Sequence, residues 1–181
     1  MHHRTRLATE RLVLRFPTRR DVDAIHAIAA NRRVARFMLF PQPYRREHAV
    51  SFVKRSRDER RAGVGYHFLA VRRDDRAVLG AAALLAVREE HRRAELGYWF
   101  GHRYWRHGYA SEAVARLLRL GFAELRLHRI YAFTLAGNEP SARLLPRHRF
   151  ALEGVQRQQY KHRGRWRDLE AWGLLRSEWQ P

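Results

Sequence analysis

No cysteine occurs among the 181 residues. That excludes disulfides, a cysteine nucleophile and any Cys-based zinc site. An acyl group handled by this chain cannot pass through a thiol of its own. Long apolar runs are missing too, and no stretch approaches the roughly 20 residues of a membrane span. The opening "MHHRTRLATERLVLRF" lacks the uninterrupted apolar segment of a secretory signal, so the expected location is the cytoplasm. Acids are scarce: 18 Asp and Glu stand against 37 Lys and Arg. Lysine is scarcer still, with Lys54 and Lys161 alone. Codon bias accounts for arginine over lysine, but not for a formal net charge of +19. Such a surface attracts polyanions (nucleic acid, a nucleotide, an acidic protein) and disfavours a polycationic substrate. The arginines are spread along the chain, so contact with nucleic acid is expected only through nonspecific charge.

What is present suffices for a core. Apolar residues make up 45% of the chain, and one domain over residues 1–181 is expected. "RLVLRF" (11–16) alternates as a strand. In "TRRDVDAIHAIAAN" (18–31), Thr18 and Asp21 resemble a capping box ahead of a helix. "FMLFPQPY" (37–44) reads as a proline-broken loop, and 46–62 as a second helix with Ala49, Val50, Phe52 and Val53 inward. Strands follow over 65–73, 77–89 and 92–100. The strongest helix spans 108–125, where Ala110, Ala113, Val114, Leu117, Leu118 and Gly121 form one stripe and Glu112 faces Arg116 at i,i+4. A strand at 129–136, a short helix at 139–149 and a hairpin over 152–175 complete the order β-α-α-β-β-β-α-β-α-β-β. The central strand–helix–strand is a crossover, so its strands are expected to be parallel. The fold class is α/β (α+β): one mixed sheet with helices on both faces.

The turn "GHRYWRHG" (101–108) leads into that helix. A helix start carries unpaired N–H groups and partial positive charge. Gly108 admits a ligand close to the backbone, and Arg103, Arg106 and His107 add potential, which suits a pyrophosphate. The plainer reading is a helix start satisfied by water, Ser111 or Glu112. The three spaced glycines of a dinucleotide turn and the Gly-Lys-Ser/Thr of a P-loop are both missing.

With the order of elements, "ELGYWFGHRYWRHGYASEA" resembles the acetyl-CoA-binding core of the GNAT N-acetyltransferases, in the branch of RimJ and RimL. "TERLVLR", "NEPSARLL" and "FALEGVQRQ…GRWRDLEAWGLL" fit in order, so the resemblance runs from about Thr9 to Leu175. It implies the acyl-CoA N-acyltransferase fold and direct acetyl transfer to a primary amine. It also implies that "GYWF" splays from the next parallel strand to admit pantetheine, with backbone groups of Trp99 and Phe100 pairing with the pantetheine amides. The pyrophosphate would sit on the N–H groups of His107, Gly108, Tyr109, Ala110 and Ser111, and Asn138 would reach the cofactor. Two family glycines are replaced, by Arg106 and Arg149. If position 106 needs φ > 0, arginine strains it; if not, its guanidinium is free to contact phosphate. Pro146 is expected to kink or shorten the short helix.

N-acetylation needs a neutral amine, a base for its proton, N–H groups for the oxyanion and protonation of the leaving thiolate. Glu95, on the strand face of Gly97 and Trp99, is the candidate base; the alternative is an exposed acid balancing Arg92 or Arg93. Many family members place a tyrosine general acid on the short helix, where Leu145 stands here. Ser141 is then the candidate donor, or simply a first-turn residue after Pro140. Tyr131 and Tyr160 are lesser candidates. No His-Glu-x-x-His pattern exists, and no metal is expected. Phe37, Phe40 and Tyr44 could form an acceptor lip or merely cover the core. Tyr160 and Trp166 admit both readings too. Three functions follow: acetylation of a protein N-terminal α-amine on an acidic or ribosomal protein, acetylation of a small amine, or a non-catalytic CoA- or RNA-binding role. A monomer or homodimer is expected.

Overall fold

The computed structural model describes residues 6–39 and 41–180. The expectation for Phe40 lies outside them. Strands β1 (Arg6–Ala8) and β2 (Leu12–Arg15) form a small hairpin, followed by a 3₁₀ turn at Arg19–Asp21. Helices α1 (Val22–Ala29), α2 (Arg32–Ala35) and α3 (Arg46–Arg61) come next, then strands β3 (Tyr66–Arg72), β4 (Val78–Arg88) and β5 (Arg93–Phe100). After a 3₁₀ turn at His102–Tyr104 come α4 (Tyr109–Arg119), β6 (Arg129–Leu135), α5 (Glu139–Arg147), β7 (Ala151–His162) and β8 (Arg165–Leu175). The eight strands form one sheet in the order β1-β2-β3-β4-β5-β6-β8-β7. Among the described strands, only β5 and β6, flanking α4, pair in parallel, as a helical crossover demands.

Each face of the sheet buries one apolar cluster. Leu96, Phe100, Val114, Leu117, Leu118, Ile130 and Leu145 belong to the cluster under α4 and α5. Ile25, Ala49, Val53, Leu69, Ala81 and Trp99 belong to the one under α1 and α3. The stripe on α4 is buried as the period requires, but the helix ends sooner than 125: Leu120–Glu124 widens into a π turn. There Gly121 lets the chain close on β6, since a Cβ would stand 2.6 Å from Ile130 Cδ1. On α3, Val50 points outward at 47% exposed, and Ser56 takes an inward place instead.

The expected helix over 18–31 is observed as a 3₁₀ turn running straight into α1, and a further short helix, α2, follows beyond it. Asp21 accepts from the N–H and the hydroxyl of Thr18 (2.8 Å each) and from both Arg15 nitrogens (2.8 and 2.6 Å). These bonds fix a tight 3₁₀ entry ahead of α1. Asn31 then restarts the chain as α2, its side chain accepting from the Arg33 N–H at 3.0 Å. No helix among the described residues is long and apolar enough to cross a membrane.

Candidate active site

The sheet ladder fails at one seam. β5 and β6 pair only at Arg93–Arg129, Ala94–Ile130 and Glu95–Tyr131. Past Glu95, β5 stays on β4 as far as Phe100, and β6 stays on β8 as far as Leu135. A gap therefore opens between β5 and β6. Two bonds tell which backbone groups face it: Arg129 N–H donates to the Arg92 carbonyl (3.2 Å), and Gly101 N–H donates to the Leu79 carbonyl (2.8 Å). Successive residues of a strand face opposite neighbours. Even-numbered residues of β5 thus address β6, and odd-numbered ones address β4. Tyr98 and Phe100 present their backbone to the gap, whereas Trp99 faces Ala81. The expectation named Trp99; the residue whose backbone borders the gap beside Phe100 is Tyr98. The Phe100 carbonyl already accepts from the Trp105 indole at 2.7 Å, which leaves its N–H toward the gap.

The turn after β5 ends in Gly108 at φ 81°, a left-handed residue that glycine adopts without steric cost. Arg106 also stands at positive φ (65°), as does Arg149 (65°). Both arginines occupy positions that carry the strain of a side chain in the left-handed region. The N–H groups of His107, Gly108, Tyr109, Ala110 and Ser111 have no acceptor among the described residues. Five donors thus point out of one turn, with exposed Arg103, Arg106 and His107 beside them. That set fits a pyrophosphate.

The turn is anchored from the far end of the chain. Glu112 does not pair with Arg116 as its i,i+4 spacing predicts. It accepts from Thr9 Oγ1 (2.6 Å), Arg11 N–H (2.7 Å) and Arg11 Nε (2.8 Å), while Arg11 Nη1 donates to the His107 carbonyl (2.9 Å). Partial burial pushes the Glu112 carboxyl up, but these donors outweigh it and hold it below the usual range. Arg116 turns to Glu124 instead, at 2.9 Å. Ser111 Oγ lies 2.8 Å from His148 Nε2, which ties the start of α4 to the end of α5. Burial lowers the His148 pKa, so it is neutral near pH 7.

Across the gap, α5 starts at Asn138. This residue is buried, and its side chain caps nothing. Its carbonyl accepts from Ser141 N–H and Ala142 N–H, both at 3.0 Å. Ser141 is 9% exposed, and Leu145 is fully buried one turn on. α5 ends at Arg147, one residue past Pro146 and short of the expected 149. Glu95 closes the narrow end of the gap beside Tyr131. It is half-buried and forms no ion pair among the described residues; Arg92 instead donates to the Arg126 carbonyl at 2.9 and 2.6 Å. Burial raises its pKa, which suits a base that must give up a proton again near neutral pH. No cluster of three or more His, Asp or Glu that could hold a metal occurs among the described residues.

Tyr98, Arg11, Thr9 and His148 were not singled out in the sequence. Arg11 and Glu112 are 101 positions apart, and Ser111 and His148 are 37 apart; no local spacing signals either pair.

The geometry has relatives. The family described as the acetyltransferase (GNAT) domain matches residues 11–151. The uncharacterized N-acetyltransferase YoaA of Bacillus subtilis (strain 168) is 34% identical over 170 residues, covering 94% of this chain and 96% of its own. The spermidine N(1)-acetyltransferase of Vibrio cholerae is 26% identical over 172 residues, covering 93% and 95%. The solved ribosomal-protein-S5-alanine acetyltransferase of Vibrio fischeri superposes with a TM-score of 0.85 at 19% identity, covering 97% and 99%. The chain belongs to the GNAT family of N-acetyltransferases.

Proposed function

We propose that the protein passes the acetyl group of acetyl-CoA directly to a protein N-terminal α-amine, on an acidic or ribosome-associated partner. The carrying observation is the parting of β5 from β6 beside a turn with five unspent N–H donors. In this reading, pantetheine lies in the gap against the backbone of Tyr98 and Phe100 and the side chain of Asn138. The pyrophosphate rests on His107 to Ser111, with Arg106 beside it. Glu95 takes the amine proton, and Ser141 lines the cofactor's reactive end. The C–N bond forms as the C–S bond breaks, and no acyl-enzyme is needed.

The net charge of +19 favours this acceptor over a polyamine. The spermidine-acetylating relative supports the second reading, a small amine. Thiol release from acetyl-CoA, measured against a panel of N-terminal peptides and small amines including spermidine, separates the two. Faster release with acidic peptides is expected. Release with spermidine alone sinks the protein-acceptor reading, and no stimulation by any amine sinks both.

A further inference from the structure

The Tyr98 hydroxyl is buried and has no hydrogen-bond partner among the described residues. A buried polar group left unpaired costs stability, so its persistence calls for a partner that arrives later. Ser141 is close enough to act on its pKa against the larger effect of burial, though the two hydroxyls do not meet hydrogen-bond geometry. Tyr98 is the third residue past the last β5–β6 pair, on the strand that borders the gap, with its ring toward the α4 and α5 face. Glu95 lies on the opposite face of the same strand, with Gly97 and Trp99. Amine and leaving sulfur occupy different corners of the carbon under attack. A base on one face and a donor on the other meet that requirement.

We infer that the Tyr98 hydroxyl is held unpaired in order to donate a hydrogen bond to the sulfur of acetyl-CoA as it departs. The inference rests on the acetyl-transfer reading. The amine lone pair forms the C–N bond, the C–S electron pair moves onto sulfur, and the amine proton goes to Glu95. Tyr98 keeps its own proton: burial pushes its pKa up to about 12, well above the roughly 8.5 of a free thiol. It therefore stabilises the thiolate without protonating it, and the thiolate takes its proton from water on release.

Tyr98→Phe tests this through three readouts. The Tm of the free protein should rise by about 2–4 °C, because an unpaired buried hydroxyl is removed. The kcat should fall about 10- to 100-fold with the Kd for acetyl-CoA unchanged, the range of a hydrogen bond to a charged group. The thiol pKa of enzyme-bound CoA, followed by thiolate absorbance, should rise by about one to two units. A structural role alone would not move the last value. An unchanged kcat with an unchanged bound-thiol pKa overturns the inference, and so does a lower Tm. If the wild type releases no thiol with any amine, the transfer reading falls, while the Tm and the CoA titration still decide the role of Tyr98.

Discussion

Arg106 shows how one residue can be both a strain and an asset. At φ 65° it occupies the left-handed region, where a side chain costs about 1–2 kcal/mol. Arg106→Gly should relieve this and raise stability by about 0.5–1 kcal/mol after glycine's extra chain entropy. Calorimetry should record the higher Tm, and titration should record several-fold weaker acetyl-CoA binding from the lost guanidinium. Equal affinity would remove Arg106 from the site. Glu95 obeys a different logic. Its pKa is raised by burial, so its contribution to stability is present below the unfolded carboxylate range and lost as pH rises through the folded value. Glu95→Gln should therefore be slightly more stable at pH 7–8 and about 10²–10⁴-fold slower. The wild-type rate should rise with pH through that raised carboxyl pKa. An active, pH-insensitive Gln variant would dismiss Glu95 as the base.

At the level of elements, the helix start is held in place by the β1–β2 hairpin. Glu112 binds Thr9 and Arg11, so Glu112→Gln should cost about 1–2 kcal/mol and loosen cofactor binding. Its pKa is lowered, so this stabilisation is present above the unfolded carboxylate range and vanishes as pH falls through the folded value. Acid titration of Tm in wild type and variant checks this; the two curves should converge at low pH. The i,i+4 rule pointed to Arg116 because it sees only the helix surface. The hairpin, brought across by the sheet, offered Glu112 three donors and won. The same limit explains what else was hidden. Periodicity found α3, β3 to β6 and the closing hairpin, since their apolar spacing is regular. It passed over β1 and α2, of three and four residues, which carry too few apolar positions to show a period. Gly108 was legible as local turn chemistry and Ser141 as a first-turn residue, whereas Asn138 came only from the family resemblance. The hydroxyl of Tyr98 was not legible, since its burial depends on α5, more than 40 positions later.

For the whole molecule, charge is the dominant variable. A net charge of +19 draws an anionic cofactor and an anionic partner by the same field, and salt screens both. The Kd for acetyl-CoA should weaken as ionic strength rises from 0.05 to about 0.5 M. The peptide KM should weaken more for acidic than for neutral N-termini. A salt-independent preference would mean that local pocket shape, not the field, selects the acceptor.

The seam beyond Glu95 has one more consequence. Among the described residues, three ladder pairs join the strands β1 to β5 with the strands β6 to β8. The sheet is two half-sheets stapled at one end, and beyond Glu95 the facing backbone groups of β5 and β6 have no ladder partner across the gap. A bound pantetheine arm would behave as a short ninth strand. Amide hydrogen exchange should therefore be fast at Tyr98 and Phe100 in the free protein, slow at Leu96, and slow at all three once CoA is bound.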